Sequence, residues 1–327
     1  MRLLITIAVS MLSAAPAAAS IRDEAAGPGQ LVRLPGGRHL NFRCSGHGTP
    51  TILLEGGYGA TSLAWGGVRR HLDASYRVCA YDRAGAGFSD PGPLPRDGAS
   101  IAYDLDRGLR TAKIRGPFVL VGHSAGALYM RLFYNRRPQD VVGMALIDPS
   151  IEHQDQRFAA MFGPGAGGIA SIRDQAARCA AAAEQKELPS TDPKLARCVP
   201  KPRANQSEAA YAAQKASNLS AASWQAKVSE LDTLFAATSE QIEAGPQSYG
   251  DLPLLVLTAG QTYESSSEEA QTAARNLWWG LHRELARRST RGESRRIAEA
   301  SHMMITEEPE LVAQAVSEVA RRAKEAK

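Results

Sequence analysis

The chain reads as an α/β protein: a mostly parallel sheet with helices on both faces, interrupted by a helical insertion. Three observations predict this. Short apolar runs ending in small or polar residues recur along the chain: "TILLEGG", "YRVCAYD", "FVLVGHS", "VVGMALIDPS" and "LPLLVLTAG". Segments of helical spacing separate them, as the crossovers of a parallel sheet require. Between 151 and about 250 no such run occurs. That stretch is alanine-rich and polar, with breaks at "GPGAGG" and near Cys198.

The elements follow in order. Residues 1–19 form a secretory signal, with Arg2 as its positive region, Leu3 to Leu12 as its apolar region and Ala17-Ala18-Ala19 as its cleavage site. The apolar run is short for a membrane span, so no stable span is expected after cleavage, and the mature protein is expected to be secreted or periplasmic. After the linker "SIRDEAAGPG" come two extended segments, "QLVRLP" and "RHLNFRCSG". Gly36-Gly37 between them is a hairpin signal. "SLAWGGVRRHLDAS" has helical spacing despite Gly66-Gly67, and "SIAYDLDRGLRTAKI" is an amphipathic helix with Ser100 as its expected N-cap. "AGALYMRLFYNRRP" is a helix ended by Pro138. After the insertion, the helix "SEEAQTAARNLWWGLHRELARRS", a strand in "SRRIAEASH" and a final helix "PELVAQAVSEVARRAKEA" complete the pattern. The expected units are therefore 20–150 and 251–327 for the sheet and 151–250 for the insertion.

Composition narrows the function classes. Hydrophobic residues make up 44% and charged residues 22%, enough apolar content for a large core. The 38 basic and 34 acidic residues are interspersed, giving a net charge of +4 without the basic stripe that nucleic-acid binding needs. The four cysteines, Cys44, Cys79, Cys179 and Cys198, lack the spacing of a zinc site. An even count in an exported chain suggests disulfides, for which three pairings exist. Cys179 with Cys198 is the local choice, which leaves Cys44 with Cys79 in two extended segments. Four free thiols are the alternative. No metal or cofactor is expected.

Sites on such a sheet lie beyond the C-terminal ends of its strands, which directs attention to Gly57, Asp82, Ser124, Asp148, Gly260 and His302. Gly122-His123-Ser124-Ala125-Gly126 fits G-x-S-x-G between a strand and a helix, the context in which that motif marks a nucleophile on a sharp turn. A serine hydroxyl needs a base. Of seven histidines, His302 alone follows a late strand; His39, His47, His71, His123, His153 and His282 do not. The acid that orients the base has two candidates: Asp148, which ends "ALIDPS", and Glu264, the first carboxylate of "QTYESSSEEA". An oxyanion would be met by the N–H of Ala125 and by that of Gly57 or Tyr58. Glu55, just before that turn, is expected to be partly buried with a hydrogen-bonding partner.

Together these residues resemble the α/β-hydrolase superfamily, from about Gln30 to the final helix apart from the insertion. "VGHSAG" is similar to its nucleophile elbow, "SHMMITEEPELV" to its histidine loop, and "YDRAGAGFSD" to the turn after its fourth strand. The resemblance implies an eight-stranded sheet, a helical lid at 151–250, and a second strand beside the fourth, which would bring Cys44 and Cys79 together. It also implies that Asp82 and Arg83 hold loops near the site. The chain departs from the family in having Glu55-Gly56 where many members have His-Gly, and in lacking Asp after the seventh strand. Ser124 separates it from members with a carboxylate nucleophile, such as epoxide hydrolases and haloalkane dehalogenases.

The expected activity is that of a serine hydrolase cleaving a small-molecule carboxylic ester. An aminopeptidase or amidase on the same residues, or a non-catalytic binding protein on the same fold, are the alternatives. An amine-binding reading would need an acidic clamp in the lid. Glu184, Glu187, Glu208 and Glu230 there sit in polar helical contexts that read as solvated faces.

Overall fold

The computed structural model describes residues 26–166, 168–199, 201–202, 207–263 and 267–325. The signal segment 1–19 and Glu264 lie outside the described residues.

Eight strands form one mixed sheet: β1 (Gln30–Arg33), β2 (His39–Ser45), β3 (Thr51–Glu55), β4 (Val78–Tyr81), β5 (Phe118–His123), β6 (Val141–Ile147), β7 (Leu254–Ala259) and β8 (Gly292–Ile297). Their spatial order is β1-β2-β4-β3-β5-β6-β7-β8. The hairpin β1–β2 and the β2–β4 pair are antiparallel, and every other pair is parallel. Gly36 and Gly37 turn the hairpin with φ of 85° and 87°, a region that only glycine enters without strain.

The central strands are buried along their whole length because both faces are covered. Alternation within each strand divides the core in two. Ile52, Leu54, Val119, Val121, Ala145, Ile147, Leu255 and Leu257 face α1 (Gly66–Leu72) and α11 (Pro309–Lys324). Leu53, Leu120, Met144, Leu146, Leu254 and Val256 face α2 (Gly98–Thr111), α3 (Gly126–Arg136) and α9 (Glu268–Ala286). Each fully buried aliphatic side chain of this kind contributes roughly 1.5–3 kcal/mol, so the sheet is the rigid part of the molecule.

One local expectation is corrected. Helix α2 begins two residues before Ser100, and its N-cap is Asp97, whose carboxylate accepts the Ser100 N–H. Asp97 also accepts from Gln241, which favours capping one residue before Gly98. The expected strand "SRRIAEASH" likewise closes early: β8 ends at Ile297, and His302 lies on the following loop, ahead of the short helix α10 (Met304–Glu307).

Between β6 and β7 the described residues hold helices and no strand: α4 (Gln154–Phe162), α5 (Ile169–Glu184), α6 (Glu208–Leu219), α7 (Ala221–Leu234) and α8 (Ala237–Glu243). Helices α5 and α7 pack together over a small core of their own, in which Cys179, Cys198, Trp224 and Leu231 are buried. Cys179 is bonded to Cys198, and Cys44 to Cys79 across the paired strands β2 and β4. Among the described residues no cysteine is free, no helix is long and apolar enough to cross a membrane, and no cluster of metal-ligating side chains occurs.

Candidate active site

Ser124 stands one residue past β5 with φ of 52°, a strained conformation for a residue with a side chain. The flanking glycines explain how the turn closes. A Cβ on Gly122 would meet the Ala127 backbone at 2.6 Å, and one on Gly126 would meet the carbonyl oxygens of Glu55 and Gly56 at 2.5 and 2.6 Å. Helix α3 therefore starts pressed against the end of β3, with Ser124 at its head. The buried Ala125 N–H has no acceptor among the described residues. Gly57 lies against the serine: a Cβ there would stand 2.9 Å from Ser124 Cβ and 3.4 Å from Oγ.

His302 and Asp148 are brought together. Asp148 follows β6 with φ of 41°, is fully buried, and its Oδ2 lies 2.7 Å from His302 Nδ1. A carboxylate only accepts, so the neutral imidazole carries its proton on Nδ1. Asp148 is over-determined by further donors. Trp278 Nε1 and Ala259 N donate to Oδ1 at 2.8 and 2.9 Å, and Thr262 Oγ1 donates to Oδ2 at 2.6 Å. Burial pushes this carboxyl up, but the hydrogen bonds from His302 and Thr262 and the nearby His282 and His302 rings outweigh it and hold it below the usual carboxylate range. The imidazole of His302 is about one-third exposed (36%), so its far side faces away from Asp148 toward solvent.

Two other histidines support this arrangement. His123 Nε2 lies 2.8 Å from the His302 carbonyl oxygen, so it donates there and ties the loop after β8 to the turn that holds Ser124. Burial, reinforced by the neighbouring His302, lowers its pKa to about 4. His282, under Trp278 with ring centroids 4.3 Å apart, donates from Nε2 to the Pro149 carbonyl at 2.9 Å and meets Thr258 Oγ1 through Nδ1 at 2.7 Å. Burial lowers it to about 4 as well.

The other side of the serine is built around Arg83, which follows β4 and is 2% exposed. Its Nη1 donates to Glu55 Oε1 at 2.6 Å and to the Gly56 carbonyl at 2.8 Å, Nη2 donates to the Gly57 carbonyl at 2.8 Å, and Nε donates to Glu230 Oε1 at 3.1 Å. Tyr81 Oη donates to the other oxygen of Glu55. Burial pushes Glu55 up to about 7 against the pull of Arg83. Asp82 accepts from Asn41 of β2 and from the backbone N–H groups of Ser62 and Phe88, joining the strand, the segment after β3 and the loop after β4.

Of the residues singled out from sequence, Ser124, Ala125 and Gly57 meet at one strand end, and Asp148 and His302 meet beside them. Glu55 is fully buried and doubly partnered. Among the lid glutamates, Glu184, Glu187 and Glu208 are exposed as expected. Glu230 is not: it is 4% exposed and paired to Arg83, because α7 packs on the loop that follows β4, where Ser223 also donates to the Gly85 carbonyl. Sequence reasoning missed Trp278, Thr262 and His282 as supports of Asp148. Their only signal was position on the inner face of α9 or just past β7.

Comparison with known proteins agrees with this architecture. The sequence model of the Alpha/beta hydrolase family matches residues 47–315. Among curated proteins, an "AB hydrolase superfamily protein" of Gibberella zeae is 37% identical over 113 residues, 33% of this chain and 35% of that protein. The "Probable transporter efuK" of Hormonema carpetanum is 38% identical over 115 residues, 34% of this chain and 16% of that protein. The chain spans less than half the length of the curated relatives it matches. Among solved structures, a thermophilic esterase from Thermogutta terrifontis superposes with a TM-score of 0.60 at 22% identity, covering 90% of this chain and 99% of that one, which is a likeness of fold.

Proposed function

The chain belongs to the Alpha/beta hydrolase family, and on that premise we propose that it is a serine hydrolase cleaving carboxylic esters through an acyl-enzyme on Ser124. The observation that carries this reading is the pairing of His302 Nδ1 with the buried Asp148 beside a serine held at positive φ.

In the proposed cycle, Ser124 Oγ attacks the ester carbonyl carbon as its proton passes to His302 Nε2, the nitrogen left free by the bond to Asp148. The carbonyl π pair moves to oxygen. Ala125 N–H and the N–H of Gly57 or Tyr58 receive that oxyanion. Collapse breaks the bond to the alcohol, which leaves with the proton from His302. A water molecule, deprotonated by His302, then attacks the acyl carbon, and the carboxylic acid leaves as Ser124 regains its proton. Asp148 holds the Nδ1–H tautomer throughout and stabilises the imidazolium.

The lid favours esters over substrates anchored by an amine. Of the four lid glutamates weighed as a clamp, Glu230 is buried but already paired with Arg83, and Glu184, Glu187 and Glu208 are exposed; Glu152 is taken up by Arg131 and Arg288. Export to an oxidising compartment belongs to the same proposal, supported by two buried disulfides and by the signal-like first 19 residues.

The test is a series of acyl esters of graded chain length, with matching amides, on wild type and Ser124→Ala. Ester turnover is expected to exceed amide turnover and to fall at least ~10³-fold in the variant. Ester hydrolysis retained above about a tenth in Ser124→Ala, a loss far short of that expected for a nucleophile, would reject the proposal.

A further inference from the structure

Arg83 is buried at the meeting point of three separate pieces of chain, and it uses every nitrogen of its guanidinium. Two of those bonds go to consecutive carbonyls, Gly56 and Gly57. In a trans peptide the C=O and the following N–H point in opposite directions. Neither of these peptide bonds is cis. Fixing the Gly56 carbonyl therefore turns the Gly57 N–H away from Arg83, and fixing the Gly57 carbonyl does the same for the Tyr58 N–H. Neither N–H has a protein acceptor among the described residues. They are the two candidate donors on this side of Ser124.

Arg83 is itself held from two sides, by Glu55 at the end of β3 and by Glu230 on the lid helix α7. A second contact repeats the link. The Tyr58 side chain packs against both the sheet core and the lid cluster of Cys179, Cys198 and Trp224. An apolar side chain of Arg83's volume would fill the space without the cost of burying a charge. It would, however, leave the Gly56 carbonyl without its donor and the Gly57 carbonyl with the Ala60 N–H alone, so the Gly56 peptide plane would lose what fixes it.

We propose that Arg83 is a positioning residue for the oxyanion side of the site, and that Glu230 makes the lid helix part of that device. The lid then acts on catalysis as well as on access: α7 must be seated for the Gly56–Tyr58 peptides to face the reacting carbonyl. This inference rests on the serine-hydrolase reading. Its substrate is any ester that the Ser124 site accepts, since the contact is made to the backbone of the turn and not to the acyl group.

The experiment uses the full chain with Arg83→Lys, Glu230→Ala and Glu230→Gln. It combines steady-state kinetics on the preferred ester with hydrogen exchange followed by mass spectrometry. Lysine keeps the charge but cannot reach four acceptors from one nitrogen. Arg83→Lys is expected to lower kcat about 10²-fold, the loss typical of one oxyanion donor, with KM changed less than about threefold. Exchange should quicken in the peptide spanning Gly56–Ala60 and stay unchanged in the peptide holding His302. Glu230→Ala should quicken exchange in that turn and in α7 together and cost roughly tenfold in kcat; Glu230→Gln, which restores an acceptor, should return most of both. If Arg83→Lys does not fold, the two Glu230 variants carry the test. Wild-type kcat in Arg83→Lys, or wild-type exchange in the turn in Glu230→Ala, would overturn the inference. Failure of the serine mechanism is distinguishable: ester turnover would then survive Ser124→Ala, and the exchange data alone would decide whether Arg83 and Glu230 hold the turn.

Discussion

The two sides of Ser124 are built from different parts of the molecule. On the acid–base side, Asp148 takes its partners from Ala259, Thr262, Trp278 and His302. All of these come from the sheet, its loops or the helix α9 packed on it. On the oxyanion side, the turn at Gly56–Tyr58 is held by Arg83, which in turn leans on Glu230 of the lid. The first arrangement contains no residue of the insertion. The second is complete only when the insertion has docked. On the proposed mechanism the Asp148–His302 pair therefore needs no residue of the insertion, whereas the turn that faces Ser124 from β3 leans on it.

The strongest way to break this comparison is at Asp148. In Asp148→Asn one carboxylate oxygen becomes an amide donor facing His302, which must then accept on Nδ1 and carry its proton on Nε2, the nitrogen that has to act as base. Turnover is expected to fall ~10²–10⁴-fold. The Thr262 hydroxyl can rotate to accept from the new amide, so the fold is retained and circular dichroism should be unchanged. A loss below tenfold in kcat would mean that another carboxylate orients His302, with Glu264 the residue to replace next.

A gentler probe separates the two sides by the sign of their pH response. His123 and His282, on the acid–base side, stay neutral down to about pH 4 in the folded state, against 6.5 for a free imidazole. The unfolded chain binds those two protons first, so their contribution to stability is full above pH 6.5 and is lost as pH falls toward 4. Glu55, on the oxyanion side, keeps its proton to about pH 7 when folded, against 4.5 when free. Its contribution is full below pH 4.5 and is lost as pH rises toward 7. Between these limits the unfolded chain carries about one net extra proton. Stability should therefore rise with pH from pH 4.5 to 6.5. Urea denaturation across that range measures it. In His282→Gln the slope should flatten; an unchanged slope would show that His282 is not a neutral buried group.

What the sequence revealed follows the same division. The strand ends were legible because apolar runs such as "FVLVGHS" and "VVGMALIDPS" stop where the backbone leaves the sheet. Ser124 and Asp148 are fixed by that event alone. His302 stands out from its place between the last strand and the last helix, although four residues separate it from Ile297. The hidden parts are contacts between distant elements. Glu230 lies in a polar helical pattern, and nothing local tells that its face docks on Arg83, 147 residues earlier. Trp278 is one of two adjacent tryptophans on α9, and only packing decides that its indole N–H meets Asp148. The misplaced cap of α2 has a smaller cause: Asp97 and Ser100 are both good capping residues three apart, and the tertiary bond from Gln241 to Asp97 favours the earlier one.

The central claim is that Ser124 becomes covalently acylated through His302. Reaction with a fluorophosphonate probe, followed by peptide mapping, tests it without knowledge of the natural substrate. The account predicts a single adduct on the peptide holding Gly122–Gly126, located at Ser124, formed in the wild type and absent from Ser124→Ala. Labelling of His302→Ala should be slowed by ~10³-fold or more. A wild-type protein that resists the probe, or an adduct that persists in Ser124→Ala, would contradict it.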